Sequence, residues 1–140
     1  MPGGLIVSAA RAPQFRENYR PPSDPSEAEF LEELRRLEGV PRELLEHPEA
    51  LRVLLPALRS DARLYRRYVY RAAPPLDVPI FAYSGGTDPN VRFEHVEPWC
   101  EQAVSRFARR EFDGGHFYLQ TRRDEFLAAL AADLAGIIPG

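Results

Sequence analysis

Two side chains that could share a proton follow two predicted strands of this chain. Asp88 comes after the apolar segment Val78–Ser84, and His116 comes after the segment Arg109–Phe112, each through a turn that contains two glycines. Because the carboxyl ends of parallel strands meet at one edge of a sheet, we expect the two side chains to lie close together. An aspartate that binds one ring nitrogen of a histidine leaves the other nitrogen able to take a proton from a nucleophile. The spacing therefore predicts a candidate catalytic acid–base pair.

The same segments also have a purely structural interpretation, which the residues alone leave open. Asp88 precedes Pro89, and an aspartate before a proline is typical of a turn. The Gly-Gly-His sequence at 114–116 is equally typical of a tight connection after a strand. The pair is thus either part of an active site or two turns of a compact fold.

The elements around the pair alternate between strands and helices, which predicts an α/β fold with a parallel sheet of about three strands. Apolar runs predict strands at Gly4–Ala9, Val78–Ser84 and Arg109–Phe112, the second of them covered on both faces. A short helix is predicted at His95–Ala103, and a longer amphipathic one at Arg122–Leu134. The apolar face of the longer helix comprises Phe126, Leu127, Leu130 and Leu134.

A helical insertion is predicted at residues 26–73, between the first two strands and after a proline-rich loop at residues 11–25. Asp24 or Ser26 can cap its first helix, and Gly39 can end that helix. The apolar face of this helix comprises Phe30, Leu31, Leu34 and Leu37.

Three prolines divide the rest of the insertion. Pro41 and Pro48 each suit the first turn of a further helix. We expect Pro56 to break or kink the following segment, with a separate helix from about Ala57 to Tyr70. The insertion should therefore consist of several short helices.

The amino-acid composition argues against several classes of protein, namely nucleic-acid-binding, membrane-spanning, exported and metal-binding proteins. The chain has 140 residues, with 21 acidic residues against 18 basic ones, all arginine, and its net charge of −3 argues against nucleic-acid binding. No apolar run approaches the roughly 18 residues of a membrane helix, and no export signal precedes the first strand, so we expect a cytoplasmic protein. Cys100 is the only cysteine, expected to be a small buried residue, and His47 and His95 lack partners at metal-ligand spacing. No metal or cofactor is implied.

Several motifs, in the same order along the chain, resemble those of the type II thioesterases. The motifs are Val7–Pro13, Glu29–Leu37, Leu54–Asp61, Gly85–Val91, Glu97–Trp99 and Phe112–Leu119. The similarity extends from about Leu5 to about Leu134 and so covers nearly the whole chain.

The resemblance implies part of an α/β-hydrolase that removes aberrant acyl groups from the phosphopantetheine arm of acyl or peptidyl carrier proteins in polyketide and nonribosomal peptide biosynthesis. It makes Asp88 the triad acid and His116 the general base, in the order that α/β-hydrolases use. It also makes the insertion at 26–73 a lid, and residues 74–140 the part that bears both side chains. The implied acyl-chamber residues are Phe30, Leu54, Leu58 and Phe117, although apolar residues at helical spacing are also typical of an ordinary core.

Arginines recur every four residues in the predicted lid and form a basic stripe. The stripe comprises Arg59, Arg63, Arg67 and Arg71, with Arg66 beside them. Because carrier proteins are acidic, we expect Arg59, Arg63 and Arg67 to steer one towards the lid. Two alternatives remain open: a solvated face, or pairing with the acidic helix that carries Glu27, Glu29, Glu32 and Glu33.

The serine nucleophile of the family belongs to a Gly-x-Ser-x-Gly elbow, and this chain has no such segment. None of its serines has the paired small neighbours that the strained turn requires. We therefore expect the C-terminal part of a thioesterase, which is inactive on its own. A non-catalytic module that binds carrier proteins, or a degenerate thioesterase relative, is the alternative.

Overall fold

The computed structural model describes residues 2–16, 25–37 and 42–137. The chain divides into two compact units, a sheet unit of Met1–Phe15 with Arg71–Gly140 and a helical unit of Arg16–Tyr70. The helices in chain order are α1 (Glu27–Leu37), α2 (Arg42–Leu45), α3 (Pro48–Arg67), α4 (Phe93–Val96), α5 (Tyr118–Thr121) and α6 (Arg123–Ala135). Short 3-10 helices occur at Pro13–Arg16 and Glu97–Gln102. The first of these lies in the segment predicted as a loop.

The sheet unit contains three parallel strands, β1 (Leu5–Ser8), β2 (Ile80–Gly85) and β3 (Phe107–Phe112), in the order β1-β2-β3. Every residue of the central strand β2 is buried, because both of its edges are hydrogen-bonded and both of its faces are covered. The predicted parallel sheet of about three strands is confirmed. β3 begins two residues earlier than predicted, at Phe107 rather than Arg109.

Alternate residues of β2 build two apolar clusters on opposite faces of the sheet. Phe81 and Tyr83 pack with Phe112 and Tyr118 on the face that α6 covers. Ala82 packs on the other face, in a cluster completed by Val91, Val96 and the partly buried residues Val7, Trp99 and Phe107. The run of apolar residues in β2 is thus explained by burial on both sides.

An ionic network around the buried Asp133 joins α6 to the sheet. Asp133 is 5% exposed and accepts hydrogen bonds from the Arg110 guanidinium, at 2.6 Å to each oxygen, and from the Tyr83 hydroxyl at 2.5 Å. Tyr83 and Arg110 are paired across β2 and β3, so their side chains leave the sheet on the same face. Hydrogen bonds from Arg110 hold the pKa of Asp133 below its ordinary value, and burial raises the pKa of the Tyr83 phenol.

The predicted apolar face of the last helix was partly wrong. Phe126 and Leu130 pack on the sheet as expected, but Leu127 and Leu134 are 45% and 37% exposed. The buried face continues through Ala129 to Asp133 instead, because Arg110 neutralises the aspartate at a core position.

The helical unit confirms two predicted helix starts and corrects one predicted break. Ser26 and Glu29 form a reciprocal capping box at the start of α1, and Pro48 occupies the first turn of α3. α3 then runs for 20 residues straight through Pro56. The expected break at Pro56 is absent. Proline has no N–H, so the carbonyl of Arg52, four residues earlier, loses its helical hydrogen bond. Both residues are exposed, so water can reach this part of the helix. The predictions for Gly39, Pro41 and Asp24 lie outside the described residues.

Among the residues that the structure describes, no helix is both long enough and apolar enough to cross a membrane.

Replacing Asp133 with asparagine should lower the free energy of unfolding by about 2 kcal/mol, because the charge-assisted bonds from Arg110 are lost. Glu125→Gln removes the same charge from an exposed position of α6 and should cost less than about 0.5 kcal/mol. Urea denaturation of both variants measures the difference. Equal losses would contradict a structural role for the network.

The Asp133 network should also make the free energy of unfolding fall at acid pH, where Asp133 becomes protonated. A folded-state pKa below the ordinary 3.8 means that the stabilisation is fully present above that pH and is lost as the pH falls through the depressed value. The difference between wild type and Asp133→Asn should therefore be constant near neutrality and shrink below about pH 4. Urea titrations at a series of pH values test this.

Candidate active site

The turns that follow β2 and β3 are hydrogen-bonded to each other. Gly86 N–H donates to Phe112 O at 2.8 Å, and Thr87 N–H donates to Gly114 O at 3.0 Å. These bonds continue the β2–β3 ladder past the ends of both strands. The two turns therefore stay side by side at the carboxyl edge of the sheet.

The approach of the two turns depends on a missing side chain. A Cβ atom at Gly85 would lie 2.5 Å from Gly114 O and closer still to Gly115 O, where no room exists for it. Gly114 itself has a φ of +137°, a conformation that other residues rarely adopt. Gly85 is thus required by close backbone approach, and Gly114 by its backbone conformation.

Asp88 and His116 are brought together at this edge. His116 Nδ1 lies 2.7 Å from Asp88 Oδ2. The other carboxylate oxygen, Oδ1, accepts the backbone N–H groups of Asn90 at 2.8 Å and Val91 at 3.1 Å. The Asp88 carboxylate is fully buried, whereas the His116 side chain is 24% exposed. The loop after β2 therefore fixes the carboxylate, and the imidazole is the partner that solvent or a ligand can reach.

This geometry can perform proton transfer. A hydrogen bond from Nδ1–H to a fixed carboxylate selects the tautomer in which Nε2 carries a lone pair. The same carboxylate stabilises the imidazolium that forms when Nε2 takes a proton. Phe117 packs edge-on against the imidazole, with ring centroids 5.0 Å apart, and so places an apolar surface beside it.

Two further residues of this edge had no signal in the sequence. Tyr118 is fully buried, and its hydroxyl lies 2.6 Å from the Ser8 hydroxyl at the end of β1. Burial raises the pKa of the Tyr118 phenol, and the charge of Asp88 adds a smaller upward effect. Because the two hydroxyls are 110 residues apart in the chain, no local motif links them.

The predicted acyl-chamber residues of the helical unit differ in exposure. Phe30 is 5% exposed. The guanidinium carbon of Arg59 lies over the Phe30 ring, 5.7 Å from the ring centroid. Leu54 and Leu58 are half-buried on α3. Phe30, Leu54, Leu58 and Phe117 are the predicted acyl-contact residues. Asp88 and His116 are the predicted catalytic pair, and all of these roles stay predictions.

A groove of about 660 Å³ lies within the helical unit. Its lining residues are Glu27, Leu31, Pro48, Leu51, Arg52, Leu55, Pro56, Arg59 and Arg63. The groove combines an apolar floor with arginines on its rim, and it includes Arg52, which the four-residue spacing did not reveal.

The three arginines of the predicted docking stripe have different surroundings. Arg59 Nη2 donates to Pro25 O at 2.9 Å, so this side chain also holds the start of α1. Arg63 and Arg67 are exposed. Arg63 and Arg67 are therefore the members that a partner reaches most directly.

Cys100 corrects a smaller expectation. Its side chain is exposed rather than buried. The buried contact of this 3-10 segment is made by the neighbouring Trp99, which packs on the sheet and donates from Nε1 to Ala10 O at 3.0 Å. The residue after it consequently points to solvent.

The fold and the pair together define a class of protein. A parallel α/β sheet that bears an aspartate after one strand and its histidine partner after the next has the arrangement of the α/β-hydrolases. The chain belongs to the Thioesterase domain family, whose profile matches residues 1–134.

Biosynthetic thioesterases are among its relatives. Thioesterase PikA5 of Streptomyces venezuelae is 37% identical over 124 residues, which cover 89% of this chain and 44% of that protein. The RedJ thioesterase from the prodiginine biosynthetic pathway in Streptomyces coelicolor matches with a TM-score of 0.83 and 35% identity, covering 94% of this chain and 52% of that one. The type II thioesterase BorB from the borrelidin biosynthetic cluster matches with a TM-score of 0.80 and 36% identity, over 93% of this chain and 53% of that one. The chain thus spans about half the length of these relatives.

Replacing Gly85 with alanine should push the two turns apart and lower the free energy of unfolding by about 2 kcal/mol. Gly115→Ala is the matched control, because a Cβ at that position meets no atom within 4 Å. The control should change stability by less than about 0.5 kcal/mol. Urea denaturation of the two variants gives the comparison, and a tolerated Gly85→Ala would show that the close approach is dispensable.

Proposed function

We propose that this protein hydrolyses acyl thioesters and that Asp88 and His116 are the acid and base of its active site. The observation that carries the proposal is the 2.7 Å contact between His116 Nδ1 and a buried carboxylate, in a histidine whose side chain is 24% exposed. Membership of the Thioesterase domain family supports the reaction class. Relatives from gramicidin S, borrelidin and prodiginine biosynthesis, and one from the yersiniabactin NRPS/PKS pathway, support the setting.

The proposed reaction uses His116 twice. Its Nε2 first takes the proton of a nucleophile that attacks the thioester carbonyl, and it then gives this proton to the departing thiolate. Water attacks the resulting acyl-enzyme with His116 again as base, releasing a carboxylic acid and restoring the nucleophile. Asp88 stabilises the imidazolium in both steps. Because the chain has no Gly-x-Ser-x-Gly segment, we propose that the nucleophile comes from outside these 140 residues.

We propose an acyl or peptidyl carrier protein, with its phosphopantetheine-linked acyl group, as the partner, in the cytoplasm. The exposed Arg63 and Arg67 supply a positive surface for an acidic partner, and electrostatic steering acts mainly on the rate of encounter. In the helical unit, the half-buried Leu54 and Leu58 are the stronger candidates for acyl contact, since Phe30 is buried. Phe117 is the candidate in the sheet unit, because it packs against His116.

His116→Ala and Asp88→Asn in the full-length protein should each lower kcat for hydrolysis of an acyl-pantetheine thioester by about 10³-fold or more, as triad losses do in serine hydrolases. His47→Ala is the control, since His47 is exposed and makes no capping bond at the start of α3. Release of the free thiol, followed with a chromogenic disulfide, measures kcat. Unchanged hydrolysis in both variants would favour the non-catalytic, carrier-binding alternative.

Reversing Arg63 and Arg67 to glutamate should raise KM for carrier-bound substrate by about tenfold and leave KM for the free acyl-pantetheine unchanged. The effect should shrink at high salt, because the attraction acts through solvent. Reversal of Arg35 and Arg36, two exposed residues at the end of α1, makes the same change in net charge elsewhere in the unit. The same rise in KM from both double variants would contradict a local docking surface.

A further inference from the structure

The connection that carries His116 is held at its start by backbone contacts with the turn after β2. It runs from Asp113 to Phe117 between β3 and α5 and contains Gly114 and Gly115, which restrict the backbone least of all residues. Its Asp113 end accepts exposed hydrogen bonds from Arg122, and Gly114 O accepts Thr87 N–H at 3.0 Å. These contacts hold the start of the connection, so the placement of His116 also depends on contacts at its far end, where α5 begins.

One such contact closes the connection into a loop. Phe112, the last residue of β3, and Tyr118, the first of α5, stack with ring centroids 4.8 Å apart and only 7° between their planes. Both side chains are buried, at 3% and 0% exposed. The residues that bracket His116 in the sequence are thus held against each other in the core.

A second contact ties this stack to the far strand of the sheet. The Tyr118 hydroxyl lies 2.6 Å from Ser8 Oγ at the carboxyl end of β1, with β2 between β1 and β3. A buried tyrosine hydroxyl needs a polar partner, and Ser8 supplies it. Ala9 follows immediately with a φ of +47° and donates its N–H to Tyr83 O on β2, so the end of β1 is itself fixed.

We propose that the Ser8–Tyr118 hydroxyl pair is a positioning device for His116, anchoring the connection so that Nδ1 stays on the Asp88 carboxylate. Neither residue touches the reacting atoms; both act through the backbone that leads to His116. The inference deepens the proposed function and gives β1 a part in the site. Either hydroxyl can donate in this pair, because a phenol and a serine hydroxyl each carry a hydrogen at neutral pH.

The test is nitrogen NMR of the full-length protein labelled with ¹⁵N-histidine, in which a His116→Gln variant identifies the His116 signals. Tyr118→Phe removes the hydroxyl and keeps the ring stack, and Ser8→Ala removes its partner from an exposed position, which spares the core. Each should raise the exchange rate of the His116 Nδ1–H proton with water about fivefold, the factor that corresponds to one ordinary hydrogen bond. The double variant should add little, since both changes break the same bond.

Tyr83→Phe is the matched control, because it removes another buried tyrosine hydroxyl whose partner, Asp133, lies on α6. It should lower the melting temperature without changing the His116 signals. The inference is overturned if Ser8→Ala and Tyr118→Phe leave the Nδ1–H exchange rate unchanged, or if Tyr83→Phe alters it equally.

Hydrolysis assays of the same variants separate this inference from the proposed function. Tyr118→Phe should lower kcat about fivefold and leave KM for acyl-pantetheine unchanged, as expected when a base is less well placed. Faster Nδ1–H exchange in a protein whose hydrolysis survives His116→Ala would support the positioning device and contradict the proposed function. If Ser8→Ala and Tyr118→Phe leave the Nδ1–H exchange unchanged while His116→Ala abolishes hydrolysis, the proposed function is supported and the positioning device is contradicted.

Discussion

The candidate site depends on the backbone of one strand end lying against the backbone of the next turn. Gly85 has no side chain where the carbonyl oxygens of Gly114 and Gly115 approach, and this contact lets the bonds between the turns form. Only short side-chain contacts are needed once the two turns lie side by side. The Asp88 carboxylate, held by two backbone N–H groups, reaches the His116 imidazole on the neighbouring turn. The site is therefore placed by main-chain packing, and its side chains only have to span the last few ångströms.

The sheet unit holds two buried aspartates with different partners, and the contrast explains what each can do. Asp133 is paired with Arg110, whose guanidinium stays protonated, so the network ties α6 to the sheet throughout the neutral pH range. Asp88 is paired with His116, whose imidazole has a second ring nitrogen, Nε2, that can take and give a proton. The same type of carboxylate is thus paired with a fixed cation on one face of the sheet and, at one edge, with the histidine that we propose as a base.

Sequence patterns predicted those parts of the structure that local rules govern. The apolar run of β2, the glycine turns and the order of Asp88 before His116 were enough to place both side chains at one sheet edge, because parallel strands leave little choice. The patterns gave wrong or no predictions where the environment of a residue depends on solvent or on a side chain far away in the sequence. Asp133 is buried because of Arg110, Pro56 is tolerated because solvent replaces its lost bond, and Tyr118 depends on Ser8 at the other end of the chain.

The exposed cations near the end of α3, Arg63 and Arg67, are arginines, and the chain contains no lysine. An acyl thioester is an electrophile, and the small uncharged fraction of a lysine amine can capture its acyl group as a stable amide. A guanidinium remains protonated and has no free lone pair to make that attack. Under the proposed docking, a surface that attracts an activated acyl group through arginine alone would therefore not become acylated by it.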